Sequence, residues 1–326
     1  MLALVGLTAF IAYAGARQLP KMVRASSSVP EPSKVAPAEP RRARSAVQTV
    51  YESDSSAYHV RLLPHEEGAI LVAADGFTML RTGRPPEEHT LSLGSVVARQ
   101  GDSLVFWRHG ELRQVSLSGG HEHELVTSQR SPQYLLASET QLAWIDGDRD
   151  EGFALRALTE GGARLVHHFD DSIGAAVLHD TDVYVLLQGS GGSWSIGVVP
   201  LGGRAPRFTQ TRAGRPPAML APGPAGVYFY AGPERGVRAL SFDLEHEAPV
   251  MANVICSPLA VSASDRVICA QVGGVFDIRA SRGRPRFLAA EPGGPVTSIV
   301  AGEGRAFWVA EAGDHRLAVR SVELPL

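Results

Sequence analysis

The stretch SLVFWRHGELRQVSLSGG (103–120) decides the fold. It opens with a short run of aromatic and β-branched residues, LVFW at 104–107. A glycine-containing break, His109-Gly110, follows. Then comes ELRQVSL, where Leu112, Val115 and Leu117 are apolar and the residues between them polar, the near period-two pattern of a half-exposed strand. A Ser-Gly-Gly turn closes the unit. Two strands joined by a tight turn make a hairpin.

The unit recurs. Comparable apolar runs start at 69 (AILVA), 104 (LVFW), 142 (LAWI), 183 (VYVLL), 227 (VYFY), 267 (VICA) and 306 (AFWV), at steps near forty residues apart from a shorter first step. A strand of small apolar residues precedes each later run: SVVARQ (95–100), YLLASE (134–139), AAVLHD (175–180), AMLAPG (218–223), LAVSAS (259–264) and TSIVAG (297–302). An alternating strand follows, as in GFALRALT (152–159) or HRLAVRSVEL (315–324), and then a Gly-rich turn and a short outer strand such as HELV (123–126) or RFLA (286–289). Four short strands per forty-residue repeat predict propeller blades. Small residues suit the innermost strands, which crowd the axis. The expected fold is therefore all-β: a single β-propeller over residues 46–326, with seven four-stranded blades, six or eight being the alternatives. The last repeat ends after its third strand. The alternating AVQTVYE (46–52) is expected to supply the missing fourth and close the ring.

Segments such as SLVFWRHGELRQVSLSGG and GVYFYAGPERGVRALSF (226–242) resemble bacterial extracytoplasmic propellers of the TolB-like and related uncharacterised repeat families. The resemblance covers about residues 46–326. It implies the blade architecture and an extracytoplasmic setting, and it assigns no residue a role.

Residues 1–15, MLALVGLTAFIAYAG, are uncharged. They are short for a bilayer span and suit the core of an export signal. Residues 1–24 are read as a signal peptide or membrane anchor, with a buried apolar strand as the ordinary alternative. Residues 25–45, rich in Ser, Pro, Ala and charge, are read as a disordered linker. The expected location is the cell envelope, with the propeller outside the cytoplasm and the N-terminal segment as its only membrane contact.

The net charge of −3, from 31 basic and 34 acidic residues, provides no basic field for nucleic acid. Neither a G-x-S-x-G elbow, a phosphate-binding G-x-x-x-x-G-K-[ST] nor an H-E-x-x-H motif occurs, so no catalytic residue and no cofactor are assigned. His121 and His123, and His167 and His168, have nearby carboxylates and are the weak metal candidates; solvated outer-strand side chains are the bland reading. Glu139, His179 and Asp180 end two innermost strands, where a channel enzyme would gather its acid–base groups. The connections from each fourth strand to the next blade carry Arg130, Asp170, Asp171, Arg212, Arg215, Asn253 and Glu291, a mixed-charge set suited to binding. Cys256 and Cys269 are read either as a cross-strand disulfide about a turn near 261–265 or as two small buried hydrophobes, the second carrying more weight. The function expected is a non-enzymatic binding or scaffold propeller, monomeric, with a protein or peptide partner. A hydrolase or lyase in the channel, or a sensory ectodomain, are the alternatives.

Overall fold

The computed structural model describes residues 47–54, 60–94, 96–127, 130–271, 273–278, 285–291, 294–302, 304–312 and 316–324. The proposed signal or anchor (1–24) and linker (25–45) lie outside them.

Strand β1 (Gln48–Ser53) comes first among the described residues. Blade 1 holds β2 (Arg61–His65), β3 (Gly68–Ala73), β4 (Gly76–Arg81) and β5 (Glu87–Thr90). Blade 2 holds β6 (Val97–Gln100), β7 (Ser103–Arg108), β8 (Glu111–Ser116) and β9 (His123–Thr127). Blade 3 holds β10 (Tyr134–Ala137), β11 (Leu142–Asp148), β12 (Gly152–Thr159) and β13 (Gly162–Phe169). Blade 4 holds β14 (Ser172–His179), β15 (Asp182–Gln188), β16 (Ser193–Pro200) and a split outer strand, β17 (Arg207–Phe208) and β18 (Arg212–Ala213). Blade 5 holds β19 (Leu220–Gly223), β20 (Gly226–Tyr230), β21 (Val237–Leu240) and β22 (Glu247–Met251). Blade 6 holds β23 (Leu259–Val261), β24 (Val267–Gln271), β25 (Gly273–Asp277) and β26 (Arg286–Glu291). Blade 7 holds β27 (Val296–Ala301), β28 (Arg305–Ala312) and β29 (Arg316–Glu323).

Every blade is an antiparallel meander, and β1 completes the seventh in the order β1-β29-β28-β27. Thr49 stands opposite Arg320 and Glu52 opposite Ala318. The protein is thus a seven-bladed β-propeller closed by its own N-terminal strand. Arg305 Nη1 adds a bond to Gln48 Oε1 at 3.0 Å across that seam.

The second strand of each blade reads as a continuous apolar run because both its faces are covered. Ile70, Val105, Trp144, Val185, Tyr228, Ile268 and Trp308 are all fully buried. Alternation along these strands sends neighbouring residues to opposite joints. Leu104 and Phe106 pack toward blade 1, while Val105 packs toward blade 3. Seven apolar clusters result, one for each pair of adjacent blades. Burying a Leu or Phe there contributes about 1.5–3 kcal/mol per side chain.

Polar bonds also cross the joints. Tyr134 donates its hydroxyl to Ile173 O (3.0 Å) and Tyr184 donates to Phe242 O (3.1 Å). Burial pushes the Tyr184 phenol up to about 12. The split in blade 4 has a local cause. Thr209 N donates to Ile196 O, and Thr209 Oγ1 accepts from Ile196 N at 3.0 Å, so a side chain replaces one rung of the ladder. Gly236, just before β21, has φ +62 and would place a Cβ 1.9 Å from Met251 O, so only glycine fits.

Candidate functional site

The innermost strands of blades 1–4, with Pro222 of blade 5, line an open central cavity of about 690 Å³. Its wall mixes polar and apolar groups, the apolar part built from Leu63, Val97, Ala98, Leu135, Leu136, Ala176, Val177 and Leu178. These are the small and apolar positions that period-two alternation turns toward the axis. Its mouth lies at the turns between first and second strands, where Ser138, Glu139, Thr140, His179, Asp180 and Thr181 sit. Two cations line the side formed by blades 1 and 2, Arg61 and Arg99. Arg99 donates from Nε to Gly101 O (2.8 Å) and from Nη1 to Pro64 O (3.1 Å).

Glu139, His179 and Asp180 therefore do share one cavity, as a channel enzyme would require. They occupy its rim and not its depth. The His179 ring lies flat on Phe242 of the next blade, centroids 4.1 Å apart and 10° between planes, and its Nε2 is 3.6 Å from Asp180 Oδ2. Glu139 and Asp180 are exposed. The stack with Phe242 fixes the imidazole against a neighbouring blade.

Each blade runs from first to fourth strand in the same sense, so all fourth-to-first connections emerge on the face opposite the Glu139 and Asp180 turns. Arg130, Asp170, Asp171, Arg215 and Asn253 are exposed there. Arg130 pairs with Glu151 of the adjacent hairpin. Asn253 has φ +54, a conformation asparagine tolerates in turns.

Two residues expected in this exposed set belong elsewhere. Glu291 is buried at the end of β26. It accepts from Trp308 Nε1 at 2.8 Å and from Arg320 Nη1 at 2.6 Å, both in blade 7. Arg212 lies on β18 with its guanidinium over the Trp194 ring, 5.0 Å from the centroid, and paired to Glu247 of blade 5. Both clamp one blade to the next. No local pattern announces this, because the partners lie 17 to 35 residues away.

The clamp has relatives. Asp146 accepts from Trp144 Nε1 (3.2 Å) and Arg156 Nε (2.9 Å) within blade 3, and Asp277 accepts from Arg266 Nη1 (3.1 Å) in blade 6. Arg238 pairs with Glu247 in blade 5, and Arg113 with Glu111 and Glu122 in blade 2. An arginine within the third strand of several blades thus anchors a carboxylate.

His121 and His123 are exposed at the start of β9. His167 meets Phe169 edge-on at 4.7 Å, and burial holds its pKa below the usual imidazole value, with His168 adding to the shift. His168 Nε2 lies 3.2 Å from Glu151 O. Among the described residues, no group of three or more His, Cys, Asp or Glu is placed to hold a metal. Cys256 and Cys269 are joined as a disulfide with Cα atoms 5.3 Å apart. Cys256 lies upstream of β23, and in the hairpin itself it is Leu259 that stands opposite Cys269.

No protein-family model matches the chain, and no curated protein matches it in sequence. Solved structures do. The chain is similar to an oligogalacturonate lyase in complex with manganese, at 11% identity and a TM-score of 0.60, over 85% of this chain and 89% of that one. It is similar to the WD40 β-propeller domain of Doa1, at 11% identity and 0.59, over 85% and 97%. It also resembles the β-propeller domain of Myceliophteria thermophila Cps50 (Swd1), at 13% and 0.56, over 85% and 100%. What they share with it is the fold. An enzyme and a WD40 domain stand side by side among these propellers, so the architecture selects no activity.

Proposed function

We propose that this chain is an envelope-associated propeller that acts as a monomeric, non-catalytic platform for a protein or peptide partner. The observation that carries this reading is the exposed set Arg130, Asp170, Asp171, Arg215 and Asn253 on one face of a closed ring. Charged groups of both signs on loops of a rigid scaffold fit a partner with a complementary charge pattern. Capture from envelope extract tests it. Arg130→Glu with Arg215→Glu, and separately Asp170→Lys with Asp171→Lys, should each lower partner recovery about tenfold with little change in Tm. Recovery unchanged in both variants would remove this face from consideration.

The envelope location rests on the apolar residues 1–15, the spacer at 25–45 and the likeness of the blades to TolB-like propellers. Full-length chain carrying a C-terminal tag should fractionate with the envelope, and a chain starting at residue 47 should stay in the cytosol. Full-length protein found wholly in the cytosol would refute export.

A further inference from the structure

Arg61 opens β2 and lines the central cavity. It sits four residues before the end of that strand, roughly 13 Å inside the mouth. None of its nitrogens bonds to a described residue, and Nη2 is sealed from solvent without a partner. The arginines at 113, 156, 238, 266 and 320 all hold carboxylates. Arg61 holds none. Burial lowers its pKa from the ordinary value, yet a guanidinium does not shed its proton at neutral pH. A guanidinium with one nitrogen sealed from water and no counter-charge is costly. Arg99 stands nearer the mouth, where it gives one bond to Gly101 O and one to Pro64 O, and among the described residues no carboxylate pairs with it. The acidic groups of the cavity, Glu139 and Asp180, stand at the far rim.

We propose that the central cavity binds a small organic anion. Its carboxylate sits on the Arg61 guanidinium, its apolar body lies along Leu63, Leu135 and Val177, and its other end, neutral or cationic, reaches the rim at Glu139 and Asp180. A planar guanidinium with its donors unspent matches a carboxylate in both shape and charge. The rim acids select against a second negative charge at the far end. Cavities of this volume take ligands of this size. The site is separate from the loop face and stands independently of the partner reading.

Three six-carbon probes of graded charge test it on the full chain, by thermal shift and calorimetry: hexanoate, 6-aminohexanoate and adipate. Hexanoate and 6-aminohexanoate should raise Tm by about 3 °C at ten times Kd. Adipate should bind on the order of tenfold more weakly. Glu139→Gln with Asp180→Asn should bring adipate level with hexanoate. Arg61→Met should raise the Tm of the unliganded protein and abolish all three shifts. A wild-type Tm unmoved by every probe, or shifts that persist in Arg61→Met, overturns the proposal. If Arg61→Met fails to fold, the wild-type series and the rim variant still decide. The loop-face variants should bind hexanoate as the wild type does, so a failed partner capture leaves this result standing.

Discussion

Glu291→Ala should lower the unfolding free energy by about 3–5 kcal/mol, the cost of removing one member of a buried ion pair. The Glu291 side chain is 1% exposed, and its two oxygens serve two different donors. Removing it strands the Trp308 indole N–H, on a fully buried ring, together with the Arg320 guanidinium. Among the described residues the buried Nε of Arg320 has no hydrogen-bond partner, so Glu291 is the carboxylate that holds this guanidinium. Glu291→Gln keeps an acceptor for Trp308 but loses the charge, and should fall between wild type and alanine. Urea denaturation with an unchanged m-value would report the difference as stability alone. A loss under about 1 kcal/mol for alanine would mean that Glu291 behaves as a surface carboxylate.

Removal of residues 1–53 should be comparably severe. Without β1 the last blade has three strands, and β29 presents a bare edge along Leu317–Ser321. Val50 and Tyr51, which pack onto the cluster between blades 7 and 1, are lost with it. Lost packing and ladder bonds together remove at least about 3 kcal/mol, and the open edge invites pairing between chains. Light scattering should show association of this truncation at concentrations where a chain starting at residue 47 stays monomeric. If both truncations stay monomeric with equal Tm, the N-terminal strand is dispensable for closure.

The ring itself was legible because blade repetition leaves a periodic trace. The runs at LVFW, LAWI, VYFY and AFWV are apolar throughout only because each is covered on both sides, and their spacing gave the blade count. The missing fourth strand after 315–324 likewise pointed to 46–52, and β1 runs from Gln48 to Ser53. Positions whose role depends on a distant partner were not legible. Glu291 looks like a loop carboxylate until Trp308 and Arg320 are seen beside it, and Arg212 looks like its neighbour Arg215 until Trp194 is seen beneath it. The break between β17 and β18 was hidden too, since Thr209 reads as an ordinary strand residue. Arg61 reads in sequence as one more polar residue beside Leu62 and Leu63, and its lack of a partner is a property of the assembled cavity. Sequence spacing locates strands, and three-dimensional packing decides which charges are satisfied.

The alternation of side chains along each middle strand also bears on how such a ring can lengthen. Leu104 and Val105 are chain neighbours that serve different seams. A tandem copy of one blade would therefore set its leading surface against its own trailing surface, a pairing its parent never had to satisfy. Insertion of an extra unit is tolerated only where those two surfaces happen to be mutually complementary, which favours drift within a fixed number of units over growth by duplication.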